Sequence, residues 1–159
     1  MSAIYRRLSK EELQPLEKEF VEFLVLNGIT ANDWEKMKAE DVAKAERFVE
    51  LFSDVVFESI LRKLSFLEHR VQKSVKAFQC LPDKLVVVTM KVADHEPADF
   101  TNASYLAEAA RNPPATLKVS YADKGYSTSR EKELFEMMQM GCSIADGTLF
   151  KTLSGMLGE

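Results

Sequence analysis

Residues 66–80 read FLEHRVQKSVKAFQC, and the fold class turns on how this stretch divides. Upstream, apolar residues recur at three- and four-residue steps, the period of a helix buried along one stripe. From Val75 the chain turns to β-branched and alternating residues, the pattern of a strand. The change falls within FLEHR, so 64–71 reads either as a helix end or as an added edge strand.

Working forward, 75–81 and 85–92 form two strands separated by Pro82, Asp83 and Lys84, which predicts an antiparallel hairpin. A helix from about Thr101 or Ser104 to Arg111 stops before Pro113 and Pro114, and 116–121 alternates as a third strand. Ser127, Thr128 and Ser129 offer caps for a helix running to Met140, with Gly141 as its stop. Asp146 opens a last helix that carries Leu149, Phe150, Leu153 and Met156 on one face.

Working back, 41–64 contains no Gly or Pro, and Val42, Ala45, Val49, Phe52, Val56 and Ile60 keep helical spacing. This predicts the longest helix, although Ser53 and Asp54 leave a kink or a restart open. Ser9 and Glu12 have capping-box spacing and start an amphipathic helix through Leu13, Leu16, Phe20, Phe23 and Leu24, which Asn27 and Gly28 end. Thr30 and Asp33 repeat the cap for a short helix with Trp34 and Met37. Helices first, then strands mixed with helices, predict an α+β fold: N-terminal and C-terminal helices packed on a small, mainly antiparallel sheet of three to four strands. We read 1–159 as a single domain, helical over about 8–64 and sheet-and-helix over about 65–159.

The 159 residues are 46% hydrophobic and 29% charged, a globular composition able to build a core without metal or disulfide staples, so no cofactor is expected. With a net charge of −4 and no basic stripe, nucleic acid is not an expected partner. No apolar run reaches the ~20 residues that cross a bilayer, and MSAIYRRLSKEEL becomes charged too early for a signal peptide, so no membrane contact and a cytoplasmic location are expected. Cys80 and Cys142, in no CxxC spacing, read as separate buried thiols. The sequon at Asn102 would matter only in a secreted protein.

The segments YRRLSKEELQPLEKEFVEFLVLNGITANDWEKMK (5–38) and ELFSDVVFESILRKLSFLEHR (50–70) together resemble a family of small uncharacterised Bacteroidota proteins, a domain of unknown function. The resemblance covers roughly the first half of the chain. It implies a bacterial cytosolic protein and carries over no functional residue.

Three constellations carry possible chemistry. Glu46, Glu50, Asp54 and Glu58 fall at four-residue steps and would line one helix edge, as oxygen ligands for a divalent cation do. Their spacing departs from that of the all-helical nucleotide pyrophosphatases, and neighbouring Lys44, Arg47, Arg62 and Lys63 make a solvated, ion-paired face the preferred reading. Gly125, Ser127, Thr128, Ser129 and Arg130 precede a helix start that could hold an anion, but they match neither phosphate-loop spacing, and ordinary capping is preferred. Glu68, His69 and Arg70 could serve acid–base or metal chemistry if folding brought Cys80, Asp94, His95 or Glu96 to His69. Neighbouring residues point in different directions, so the trio reads first as a half-buried network at the junction of helix and strand.

Met137, Met138 and Met140 read first as core, and second as an adaptable contact surface. The functional reading that follows is a non-enzymatic protein that binds another protein or itself, a homodimer included, through its terminal helices and an exposed sheet edge. The alternative is a metal-dependent phosphohydrolase or nucleotide-binding enzyme built on the carboxylates of the long helix.

Overall fold

A computed structural model describes residues 3–157, and their contacts separate into two compact units that divide after Arg62.

In the first unit, Ser9 caps α1 (Lys10–Leu13) through the expected box, its hydroxyl accepting from the Glu12 amide. The single amphipathic helix expected from Ser9 onward is interrupted. Pro15 has no amide hydrogen to donate, and Gln14–Leu16 tighten into a 3-10 turn before α2 (Glu17–Leu26) begins. Gly28 at φ 76° ends α2 in the left-handed region. Thr30 and Asp33 close the second capping box on α3 (Ala31–Glu40).

The longest helix, α4 (Val42–Lys63), runs unbroken for 22 residues. Ser53 and Asp54 therefore restart nothing. The Ser53 hydroxyl donates back to the Val49 carbonyl at 2.7 Å, within the helix. Around buried Phe52, Phe20 and Phe23 pack at 5.0 and 5.5 Å between ring centroids, and Trp34 meets Phe20 edge-on at 5.2 Å. These rings tie α2, α3 and α4 together, each pair adding ~1 kcal/mol beyond its buried area.

The second unit is a five-stranded sheet in the order β4-β3-β2-β1-β5, antiparallel at every pairing. FLEHR is its strand β1 (Phe66–Arg70), followed by β2 (Ser74–Cys80) and β3 (Lys84–Lys91) in the expected hairpin. β1 is neither helix end nor edge. A two-residue strand β5 (Ser143–Ile144), absent from the sequence reading, pairs with Leu67 and Glu68 on its free side. β4 (Lys118–Gly125) extends four residues beyond the expected end at Tyr121 and pairs with β3 along its whole length. The sheet thus has five strands in place of three to four.

Alternation sorts the side chains onto two faces. On one, Val75, Ala77, Val88 and Met90 are fully buried beneath Phe100, Leu106 and Ala109 of the segment leading through α5 (Ala103–Arg111), and beneath Leu153 of α7 (Thr148–Leu157). On the other lie Leu67, His69, Lys76, Phe78, Cys80 and Leu85, where α6 (Arg130–Gln139) adds its own side chains. Asn102 of the sequon caps α5, its side chain accepting from the Tyr105 amide. Asp146 accepts from the Thr148 amide at the start of α7. Among the described residues no helix is long and apolar enough to cross a membrane.

Gly147 binds α7 closely to the sheet. Its φ is 90°, and a Cβ there would lie 2.5 Å from the Phe66 ring. Gly147→Ala is therefore expected to lower stability by about 2–4 kcal/mol in urea unfolding, combining left-handed strain with overpacking. Glu12 supplies a pH test. Hydrogen bonds from the Arg6 guanidinium and the Ser9 amide hold its carboxyl down at about 2, against an ordinary 4.5. Because the folded pKa is depressed, the contribution is present above the ordinary value and is lost as pH falls through about 2. Glu12→Gln should flatten the fall of the urea midpoint across that window, modestly, since the pair is solvent-screened.

Candidate functional site

FLEHR divides its polar trio between the two faces. Glu68 is opposite Ala77 and Arg70 opposite Val75, so both lie on the α5 and α7 side. His69 is opposite Lys76 and lies on the α6 side. Glu68 is buried at 8% exposure, and its Oε1 accepts from Arg70 Nη2 at 2.7 Å and Nε at 3.2 Å. That pair borders a cleft of about 480 Å³ lined by Ala103, Ala107 and Ala110 of α5 and by Thr148 and Thr152 of α7. The structure thus joins Glu68 to Arg70 and separates both from His69, which cannot share a proton with either through the sheet.

His69 lines a second concavity, of about 370 Å³, together with Lys76, Phe78, Leu85, Lys124, Met137, Met140 and Cys142. Gly141, the expected stop of α6, has φ 111° and leaves the imidazole room: a Cβ there would stand 3.4 Å from His69 Nε2. Glu133, buried on α6, accepts from the Lys124 ammonium and, at 2.6 Å, from the Ser127 amide. Burial alone would push the Glu133 carboxyl up, but these donors hold it below the ordinary glutamate value. Of this groove, sequence reading named His69, Cys142 and the methionines, and missed Lys76, Phe78 and Lys124. The available signal was the two-residue alternation that sets Lys76 and Phe78 against the buried Val75 and Ala77.

The residues read as an anion loop hold other partners. Gly125 is the last residue of β4, opposite Lys84. Ser129 is the N-cap of α6 and accepts from the Lys132 amide, while Thr128 donates to the Ser129 carbonyl. Arg130 donates to the carbonyls of Leu64, Leu81 and Cys80, and Tyr126 donates to those of Leu81 and Lys84. The guanidinium thereby ties the start of α6 to the chain before β1 and the end of β2.

Three of the four carboxylates on α4, Glu46, Asp54 and Glu58, fasten the N-terminal segment to that helix. Asp54 accepts from the Ile4 amide at 3.0 Å and the Tyr5 amide at 3.1 Å, and Glu58 accepts from the Tyr5 hydroxyl and from Arg62 Nε at 3.1 Å. Glu46 faces Arg7 at 3.8 Å and Glu50 faces Arg47 at 3.6 Å, while the Leu8 amide donates to Ser53. Among the described residues no three His, Cys, Asp or Glu side chains converge to hold a metal ion. Glu96, in the loop beyond β3, accepts from the Thr116 hydroxyl. Both cysteines are free. Burial pushes the Cys80 thiol up to about 12 and raises that of Cys142, so neither is a ready thiolate at neutral pH.

Removing the Asp54 carboxylate should release the clasp. Asp54→Ala is expected to cost about 2–3 kcal/mol in chemical unfolding and to speed amide exchange at Ile4 and Tyr5, with exchange in β2 and β3 unchanged at low denaturant.

Comparison with curated proteins and with solved structures returns no match. A family model does match, and it spans residues 3–158, extending the likeness seen in the first half of the sequence through the sheet and the last helix. By that match the chain belongs to the Family of unknown function (DUF6495).

Proposed function

We propose that this chain is a non-enzymatic binding domain of the cytosol that associates with a second copy of itself along strand β4. The observation that carries the reading is the state of that strand. β4 is eight residues long and terminates the sheet, and all of its residues but Val119 are exposed. Its outward-facing backbone groups have no partner among the described residues. A long edge of that kind is a template for another strand. The opposite edge, β5, has only two residues.

The side chains favour one register. For two copies related by an axis normal to the sheet, residues facing each other must share a face. Placing Tyr121 opposite itself would set Lys118 against Lys124 of the second copy, a like-charge pair that destabilises. Placing Ala122 opposite itself removes that clash and sets Tyr121 against Asp123. Tyr121 is 55% exposed and already donates to its own Asp123 at 2.9 Å, so the same bond can form across the interface. Two free thiols suit a reducing compartment. The alternative, a metal-dependent phosphohydrolase on α4, gains no support from carboxylates that already hold the N-terminal segment.

Light scattering coupled to size exclusion should give twice the chain mass for the native protein. Ala122→Lys, which sets like charges at the two-fold, should give a monomer with Tm nearly unchanged because position 122 is exposed. A strictly monomeric native protein, or a dimer indifferent to Ala122→Lys, would overturn the proposal.

A further inference from the structure

We infer that the groove between β1–β2–β3 and α6 binds a linear aliphatic monocarboxylate, a free fatty acid of medium length. The floor is apolar, with Phe78 and Leu85 from the sheet and Met137 from α6, and Met140 follows as that helix's C-cap. Met140, 81% exposed, stands at the rim. An ammonium outside any ion pair among the described residues stands at one end. His69 and Lys76 are directly opposed across β1 and β2. Lys76 makes no ion pair and the His69 side chain no hydrogen bond among the described residues. At the far end Lys124 is already neutralised by Glu133.

The register sets the length. Lys124 stands two strands from Lys76 and four residues further along, since Lys76 faces Thr89, and Leu85 faces Lys124. That is a diagonal of roughly 16 Å from ordinary strand spacings. At about 370 Å³ the groove falls in the small-ligand range.

The absence of main-chain donors in the floor separates a hydrocarbon tail from a peptide. The β2 and β3 backbone is consumed in ladders on both sides, so an extended peptide lying here would leave its amides unpaired, at a cost a methylene chain does not incur. The carboxylate then meets Lys76 and His69, and the tail covers Phe78, Leu85 and the two methionines.

Decanoate, decanol and octanoate are the probes, titrated calorimetrically below their aggregation limits. Decanoate should bind, octanoate about tenfold more weakly for its two lost methylenes, and decanol about tenfold more weakly for its lost charge. Lys76→Met, an exposed position whose loss should not disturb folding, should weaken decanoate about tenfold and leave decanol unchanged. Alkylation of Cys142, which lines the groove, should slow in saturating decanoate, with buried Cys80 as the internal control. No decanoate binding, equal affinity for decanol, an unchanged Lys76→Met variant, or unprotected Cys142 would each overturn the assignment.

Discussion

Two-residue alternation along the antiparallel ladder is the constraint on which the sheet unit depends. Once β2 pairs with β3 from Ser74 opposite Lys91 to Cys80 opposite Leu85, a slip of one residue would bring Lys76, Thr89 and Lys91 into the core and turn Val75, Ala77, Val88 and Met90 to water. Those four residues, all fully buried, represent ~1.5–3 kcal/mol each for the larger side chains, so the register has no near competitor. β1 inherits it. Glu68 and Arg70 must then face one way and His69 the other, whatever chemistry their adjacency in sequence suggests.

That constraint also explains the different fates of the two faces and the two edges. On the α5 and α7 side a continuous apolar cluster that includes Phe100 and Leu153 covers β2 and β3, and Glu68 and Arg70, paired with each other, border the cleft between α5 and α7. On the α6 side, Arg130 and Tyr126 hold the start of the helix to backbone carbonyls, and beyond that anchorage a groove stays open. β5 blunts one edge by its shortness, whereas β4 carries a full-length row of outward backbone groups. Lys118 and Lys124 flank it, the charges with which edge strands commonly resist indiscriminate pairing.

Much of this was legible in the residues because it is local. The capping boxes at Ser9 and Thr30, the α4 span without Gly or Pro, and the hairpin around Pro82 and Asp83 all declare themselves within a few positions. Pro15 also declares the 3-10 turn, although the apolar stripe through Leu13 and Leu16 masks it. What escaped the sequence is non-local. Ser143 and Ile144 are too short a strand to show a period, and ADKG at the end of β4 is polar on both faces because an edge strand exposed to water needs no alternation. Glu50 and Glu58 do have ion partners on their own helix, Arg47 and Arg62, but the partners of Asp54, the Ile4 and Tyr5 amides, lie about 50 positions away, a distance at which one sequence carries no pairing signal. Opposite faces for His69 and Glu68 follow from β pairing alone, which a strand-or-helix ambiguity at 64–71 had left open.

We propose β4 as the contact strand. Amide hydrogen exchange read by mass spectrometry on dilute and concentrated protein addresses it without altering any residue. Peptides covering 118–125 should gain protection as concentration rises, with those covering β2 and β3 already slow at both concentrations. Equal exchange of 118–125 at every concentration, or protection gained only in some other segment, would contradict it.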